Sequence, residues 1–128
     1  MTVSDNLGDM LTQVKNAYMA NKHSLTLPFS KEKENALKVL VKNQIVVEST
    51  VVKEETFKKL TVSIPERTRT LIIKRMSKPG RRMYIKAKDL YLVKGGRGFL
   101  IISTPQGIMD SQEAKSKKLG GELIAEVF

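Results

Sequence analysis

The sequence predicts an α+β fold, either as one compact domain or as two small lobes packed together around one core. Residues 1–64 are expected to form N-terminal helices with a short sheet, and residues 65–128 a mostly β lobe with one short helix. Three observations predict this. Apolar residues recur at helical spacing before residue 43, β-branched and alternating runs follow it, and a charged, polar link at 65–70 separates the halves. A length of 128 residues, 41% of them hydrophobic, suits one compact unit.

The N-terminal half opens with two predicted helices. The first runs from Ser4, a suitable N-cap, to about Ala20. The second starts after Ser30, also a suitable cap, and has Glu32 and Glu34 in its first turn, where the helix dipole favours acids. The apolar stripe of the first helix is Leu7, Met10, Leu11, Val14, Ala17 and Tyr18.

Strands are predicted for the rest of this half. Residues 45–47 and 51–52 are β-branched, a turn is expected at 53–56, and residues 60–64 alternate between apolar and polar. The element order is therefore α-α-β-β, or α-β-α-β-β if a short strand precedes Pro28.

The C-terminal half is predicted to consist mainly of strands. Pro79-Gly80 fits the centre of a type II turn, so the apolar runs 71–73 and 83–85 on either side are expected to pair as a hairpin. Residues 99–102 predict a buried strand. Asp110, followed three residues later by Glu113, predicts a capped helix through Lys118, and the chain is expected to end in a strand over 122–128.

Positive charge is concentrated in the C-terminal half. The whole chain carries a net charge of +10, of which residues 1–64 contribute +2 and residues 65–128 contribute +8. The stretch 67–97 holds all six arginines, five lysines and only one acid, Asp89. Because arginine forms forked contacts with phosphate and stacks on bases, this distribution predicts a nucleic-acid partner rather than a merely solvated surface.

Composition excludes several other classes of function. Without cysteine the chain has no disulfides, thiolate metal sites or cysteine nucleophiles, and its one histidine, His23, makes triad chemistry improbable. Asp5 and Asp9 lie one helical turn apart, but no third ligand is close in sequence, so we expect neither a metal nor a cofactor. The sequence contains no membrane-spanning apolar run and no secretory signal, which favours the cytoplasm.

Two segments are candidates for contact with nucleic acid. The first, 74–86, carries six basic side chains around a tight turn, with Tyr84 as an aromatic that could stack on a sugar or a base. The second, 103–107, leaves the end of a buried strand, so its hydroxyls and amides could read base edges and 2′-hydroxyls. Either segment alone could be an ordinary strand or turn.

Five blocks of this sequence resemble the family of the eighth protein of the bacterial small ribosomal subunit. The resemblance covers nearly the whole chain from Ser4, and the blocks follow the family's order and spacing. They are Asp9-Met10-Leu11-Thr12 with Lys15-Asn16-Ala17, Ser77-Lys78-Pro79-Gly80-Arg81-Arg82 with Tyr84, Ser103-Thr104 with Gly107-Ile108-Met109, Glu113-Ala114, and Gly120-Gly121-Glu122.

This resemblance implies two α+β lobes and a non-catalytic protein that binds the central domain of small-subunit rRNA at a bulged helix. It implies neighbouring ribosomal proteins as partners and, in some bacteria, binding to the protein's own messenger RNA. By the same resemblance, the site residues are expected in four groups. They are the loop residues Ser103, Thr104, Gln106 and Gly107, the basic turn Lys78, Arg81 and Arg82 with Tyr84, the supporting acid Glu122, and the helix residues Thr12, Lys15 and Asn16.

The sequence departs from the family at two positions near these groups. Pro105 stands where the family usually has a small polar residue, so the loop loses one backbone donor. Arg97 stands where an apolar residue is common. Two other functions stay open from the sequence: a regulator that binds messenger RNA or DNA, and a small enzyme that acts on nucleic acid. DNA is the weaker partner, because the sequence has no helix-turn-helix signal. The enzyme is disfavoured because 67–97 offers only Asp89 as a catalytic acid.

Overall fold

The computed structural model describes residues 3–66 and 68–128, and within the first helix it describes side chains from residue 6 onward. Arg67 and the side chains of Ser4 and Asp5 therefore lie outside the description. The helices are α1 (Val3–Met19), α2 (Lys31–Lys42) and α3 (Ser111–Ser116). The strands are β1 (Ser24–Pro28), β2 (Glu48–Lys53), β3 (Lys58–Ser63), β4 (Ile73–Arg75), β5 (Tyr84–Ile85), β6 (Phe99–Thr104), β7 (Gly107–Asp110) and β8 (Gly121–Val127).

Both predicted N-terminal helices are confirmed, with one correction at a cap. The Ser30 hydroxyl accepts a hydrogen bond from the Lys33 N–H at 3.2 Å, as an N-cap should. Ser4, in contrast, lies inside α1, because that helix already begins at Val3. All six residues of the predicted apolar stripe of α1 are buried.

The N-terminal sheet has three antiparallel strands in the order β1-β3-β2. The strand before Pro28 exists, so the order α-β-α-β-β is the correct one. The expected strand at 45–47 is wrong. Ile45 and Val46 are buried beside the end of α2, where the Ile45 N–H donates to the Leu40 carbonyl, and the strand begins only at Glu48.

The C-terminal sheet has five strands, in the order β4-β8-β6-β7 with β5 also paired to β8. The predicted hairpin between 71–73 and 83–85 is therefore wrong. Its strands β4 and β5 each pair with β8, at Ile73↔Val127 and Tyr84↔Glu122. The physical reason is the length of β8, whose seven residues offer backbone partners to β4 at one end and to β5 at the other.

Both faces of this sheet are covered by apolar side chains. Ile101 and Ala125 belong to a larger buried cluster shared with α1 and α2, whereas Leu100 and Ile102 belong to a smaller cluster shared with Leu90 and α3. A strand buried on both faces reads as a continuous apolar run, which explains the Phe-Leu-Ile-Ile sequence of β6. The division into two lobes at residue 65 stays a prediction. Among the described residues, no helix combines the length and apolar character needed to cross a membrane.

Asp110 joins the two halves of the chain. Its carboxylate accepts the Glu113 N–H at 2.8 Å, which confirms the predicted cap of α3. The other carboxylate oxygen lies 3.1 Å from the Asn43 amide and 3.1 Å from the Lys42 ammonium, both at the end of α2. A single buried acid thus fixes α3 against the helix of the other half.

Candidate nucleic-acid interface

Three neighbouring strands align three of the predicted site residues in one row. Tyr84 on β5 lies opposite Glu122 on β8, which lies opposite Ser103 on β6. Directly opposed residues of antiparallel strands point to the same face of a sheet. The structure therefore brings together an aromatic ring, a carboxylate and a hydroxyl from segments far apart in sequence, and we call Tyr84, Glu122 and Ser103 the site row.

Tyr84 is the most exposed member of the site row. About 74% of its surface is accessible to solvent, although it lies in a strand. A large aromatic side chain left so exposed has no packing role, and its ring is available for stacking on a base or a sugar.

Glu122 is screened by an arginine. Its carboxylate lies 3.8 Å from the Arg82 guanidinium, and the two side chains are only 16% and 23% exposed. An unscreened carboxylate in this place would repel phosphate, so Arg82 reduces that penalty. Arg82 thus acts partly within the protein, in contrast to the outward role expected of the basic turn.

The basic turn beside the site row is tightly held. Lys78 and Arg81 exchange two backbone hydrogen bonds of 3.0 and 2.9 Å across Pro79-Gly80, and Gly80 adopts the positive φ of 78° that a type II turn requires at this position. Both basic side chains are exposed. The sequence correctly predicts the turn.

Ser77, which the sequence analysis did not single out as a site residue, anchors this turn. It is buried, and its hydroxyl accepts from the Met83 N–H at 2.8 Å and donates to the Met83 carbonyl at 3.2 Å. The signal in the sequence is weak, because a serine before a turn is common and its partner is six residues away.

The second predicted segment, 103–107, is the β6–β7 hairpin loop. Ser103 is partly exposed, and Pro105 and Gln106 at the tip are exposed. Thr104 is buried instead. Its hydroxyl donates to the Gly107 carbonyl at 2.8 Å and accepts from the Gln106 N–H at 3.2 Å. The hydroxyl of Thr104 is therefore used to shape the loop, and the groups presented outward are those of Ser103 and Gln106.

Two glycines bring the loop and the basic segment close together. A Cβ on Gly121 would overlap the Ser103 carbonyl oxygen and lie 3.1 Å from the Thr104 Cα. A Cβ on Gly120 would meet the Ile85 carbonyl oxygen and lie 3.0 Å from the Lys86 Cα. The start of β8 thus fits between the ends of β5 and β6 only because it carries no side chain there.

The predicted helix residues form a separate polar face. Thr12 and Asn16 are exposed on α1, Lys15 is partly exposed, and the Thr12 hydroxyl donates to the Gly8 carbonyl at 3.0 Å. α1 packs against α2, β1, β4 and β8, and these three residues lie on its solvent-facing side.

The other residues considered in the sequence, Asp9, His23 and Arg97, lie at the surface. Asp9 is exposed, and no group of three or more histidine, cysteine or acidic side chains among the described residues could hold a metal ion. His23 is exposed in the loop before β1. Arg97 is also exposed, just after the turn that precedes β6.

Comparison with known proteins identifies the family of this chain. A sequence model of ribosomal protein S8 matches residues 5–128. The chain is 39% identical over 131 residues to small ribosomal subunit protein uS8 of Dictyoglomus thermophilum, 35% over 133 residues to that of Chloroflexus aurantiacus, and 38% over 132 residues to that of Corynebacterium jeikeium. Each alignment covers the whole of both proteins. The chain therefore belongs to the ribosomal protein S8 family, a family of small-ribosomal-subunit proteins.

Proposed function

We propose that this protein binds the central domain of small-subunit rRNA directly and helps to assemble the platform of the subunit, without catalysing a reaction. The observation that carries the proposal is the site row, with exposed Tyr84 on one side and the rigid 103–107 loop on the other. A protein with this role works in the small ribosomal subunit, in the cytoplasm. Neighbouring ribosomal proteins and similarly folded messenger RNA are further expected partners.

The proposed binding uses two kinds of contact, one for affinity and one for recognition of the site. Exposed lysines and arginines of 74–86 neutralise phosphates, which contributes affinity but carries no sequence information. Ser103 and Gln106 supply hydroxyl and amide groups that can hydrogen-bond unpaired bases or 2′-hydroxyls at a bulge. Because the loop is held by Thr104 and by β8, little entropy remains to be lost on binding.

The test is a titration of three nucleic acids of equal length at the same salt concentration. They are a bulged fragment of the rRNA central domain, a plain RNA duplex and a DNA duplex. We expect the bulged fragment to bind on the order of 100-fold or more tightly than either duplex. Equal affinity for all three would contradict the proposal, as would footprinting on intact rRNA that protects no part of the central domain.

Arg81→Ala is expected to weaken binding to the bulged fragment and to the plain duplex by the same factor, about 3- to 10-fold at moderate salt. A phosphate contact acts on any RNA, so the slope of log affinity against log salt should also become shallower by about 0.7–0.9. The matched control is Lys38→Ala, which removes one exposed charge from α2 and should change neither quantity. A loss confined to the bulged fragment would show instead that Arg81 reads the site.

A further inference from the structure

A second aromatic surface lies on the N-terminal sheet. A groove of about 510 Å³ is lined by Phe29, Phe57, Lys58, Lys59 and the Thr26–Pro28 end of β1. It holds two of the four phenylalanines in the chain. Its volume falls within the range of about 300–1,000 Å³ that small-ligand sites occupy in proteins.

The aromatic floor of the groove is open to solvent. Phe57 is 54% exposed at the tip of the β2–β3 hairpin, and Phe29 is partly exposed just before α2. Phe29 packs partly against the larger buried cluster, whereas Phe57 is left exposed. The groove therefore joins one anchored ring to one exposed ring, and exposed apolar patches mark contact sites.

Positive charge surrounds this floor. The Lys58 ammonium lies 5.1 Å from the centre of the Phe29 ring, and the Lys59 ammonium lies 5.3 Å from the centre of the Phe57 ring. The lining contains these two cations and no acid. Lys59 is paired with Glu54 at 3.0 Å, which leaves Lys58 as the cation that can meet an incoming anion.

Backbone hydrogen bonds fix the backbone of the two residues that carry the rings. The Phe29 N–H donates to the Lys58 carbonyl at 3.2 Å, which joins the end of β1 to the start of β3. The Glu54 N–H donates to the Phe57 carbonyl at 2.8 Å, which closes the hairpin turn. The groove is therefore largely formed before any ligand arrives.

We propose that this groove binds one unpaired nucleotide of single-stranded RNA. The base lies against the Phe57 and Phe29 rings, and the adjoining phosphate meets the Lys58 ammonium. The site is independent of the site row, since it is built from β1, β3 and the β2–β3 hairpin of the other sheet. It would give the N-terminal half a contact with RNA in addition to the one expected of Thr12, Lys15 and Asn16.

The chemistry of the groove favours this occupant over two others. A duplex buries its bases by stacking and pairing, so it could use the lysines but not the rings. An acidic peptide would find cations here, but few polar groups to pair with its backbone. A nucleotide joins a flat, apolar-faced base to one anionic phosphate through a single sugar, which matches paired rings with one free cation.

The test uses the full chain carrying Tyr84→Ala and Arg81→Ala, so that binding at the site row is weakened, and a fluorescent eight-nucleotide oligoadenylate. Adding Phe57→Leu should lower the affinity about 5- to 50-fold, because stacking on an aromatic ring is lost while an apolar side chain remains. Adding Phe57→Tyr should preserve the affinity. The matched control is Val52→Ala, which trims an exposed apolar side chain of the same hairpin outside the groove.

The outcomes separate this site from the proposed function. Unchanged affinity in Phe57→Leu overturns the nucleotide site, as does photocrosslinking that misses residues 57–58. An acidic, aromatic peptide that occupies the groove more tightly than the oligoadenylate also overturns it and assigns a protein partner. In an otherwise unchanged chain, Phe57→Leu should leave discrimination between bulged and plain RNA intact. If the unchanged chain bound bulged and plain RNA equally well, that result would contradict the proposed function but not the nucleotide site.

Discussion

Gly121→Ala is expected to weaken binding to the bulged rRNA fragment about 10- to 100-fold and to lower the free energy of unfolding by about 2–3 kcal/mol. The added methyl group would overlap the Ser103 carbonyl oxygen, which is backbone and cannot rotate away. Either β8 moves from β6, or the 103–107 loop is displaced together with the outward groups of Ser103 and Gln106. Isothermal titration and thermal unfolding of the same variant measure the two effects.

The control for this variant must match its loss of stability without touching the loop. Leu60→Ala removes a fully buried side chain of β3 in the other sheet and should cost about 2–5 kcal/mol. Measured well below its melting temperature, it should bind the bulged fragment as the unchanged chain does. If both variants lost RNA affinity equally, the loss would follow from stability and the positioning role of Gly121 would be wrong.

Local signals explain which elements could be predicted from the sequence. Ser30 and Asp110 cap helices through hydrogen bonds within three residues, and the stripe of α1 repeats every three or four residues. Pro79-Gly80 likewise defines its turn without help from the rest of the chain. In each case the residues that determine the structure are neighbours in sequence, so a single segment carries enough information.

Long-range pairing explains the failure at β4 and β5. Residues 71–85 look like a hairpin because both runs are apolar and the turn between them is favourable. Whether the two runs pair with each other or with β8 depends on residues 36 to 54 positions further along the chain, which the segment itself does not encode. The turn at Pro79-Gly80 forms although its flanking strands pair with β8, because the Ser77 hydroxyl hydrogen-bonds to the N–H and the carbonyl of Met83.

In the candidate site, too, some features could be predicted from the sequence and others could not. Exposure of Lys78 and Arg81 follows from residue type, whereas the exposure of Tyr84 does not, because tyrosine is usually partly buried. The inward direction of the Thr104 hydroxyl could not be predicted from the sequence either, because a threonine at the end of a strand can point to either face. The family resemblance points to this loop as a contact with RNA, which stays a prediction, and it does not separate the side chains that shape the loop from those that face outward.

Asp110→Ala is expected to lower the free energy of unfolding by about 2–4 kcal/mol. It removes the cap of α3, worth about 1 kcal/mol, and one of the two hydrogen bonds of the Asn43 amide, which keeps its bond to the Val39 carbonyl. A hydrogen bond to a charged group contributes about 1.5–3 kcal/mol. Lys42→Ala is the matched variant on the other side of the contact. Its side chain is half exposed, so the ion pair is screened by solvent and its loss should cost at most about 1 kcal/mol. Chemical denaturation of both variants measures the difference.

The same acid makes stability depend on pH. Burial alone would raise the pKa of Asp110, but the Glu113 N–H, the Asn43 amide and the Lys42 ammonium lower it below its usual value. A carboxyl whose pKa is lower in the folded state contributes stability above its unfolded pKa of about 3.9 and loses it as pH falls toward the folded value. Asp110→Asn keeps an oxygen for the cap but not the charge. The difference in free energy of unfolding between the unchanged chain and this variant should therefore be largest near pH 6 and should shrink below about pH 4. A difference that stayed constant from pH 6 to pH 3 would mean that the charge of Asp110 contributes nothing to joining the two halves.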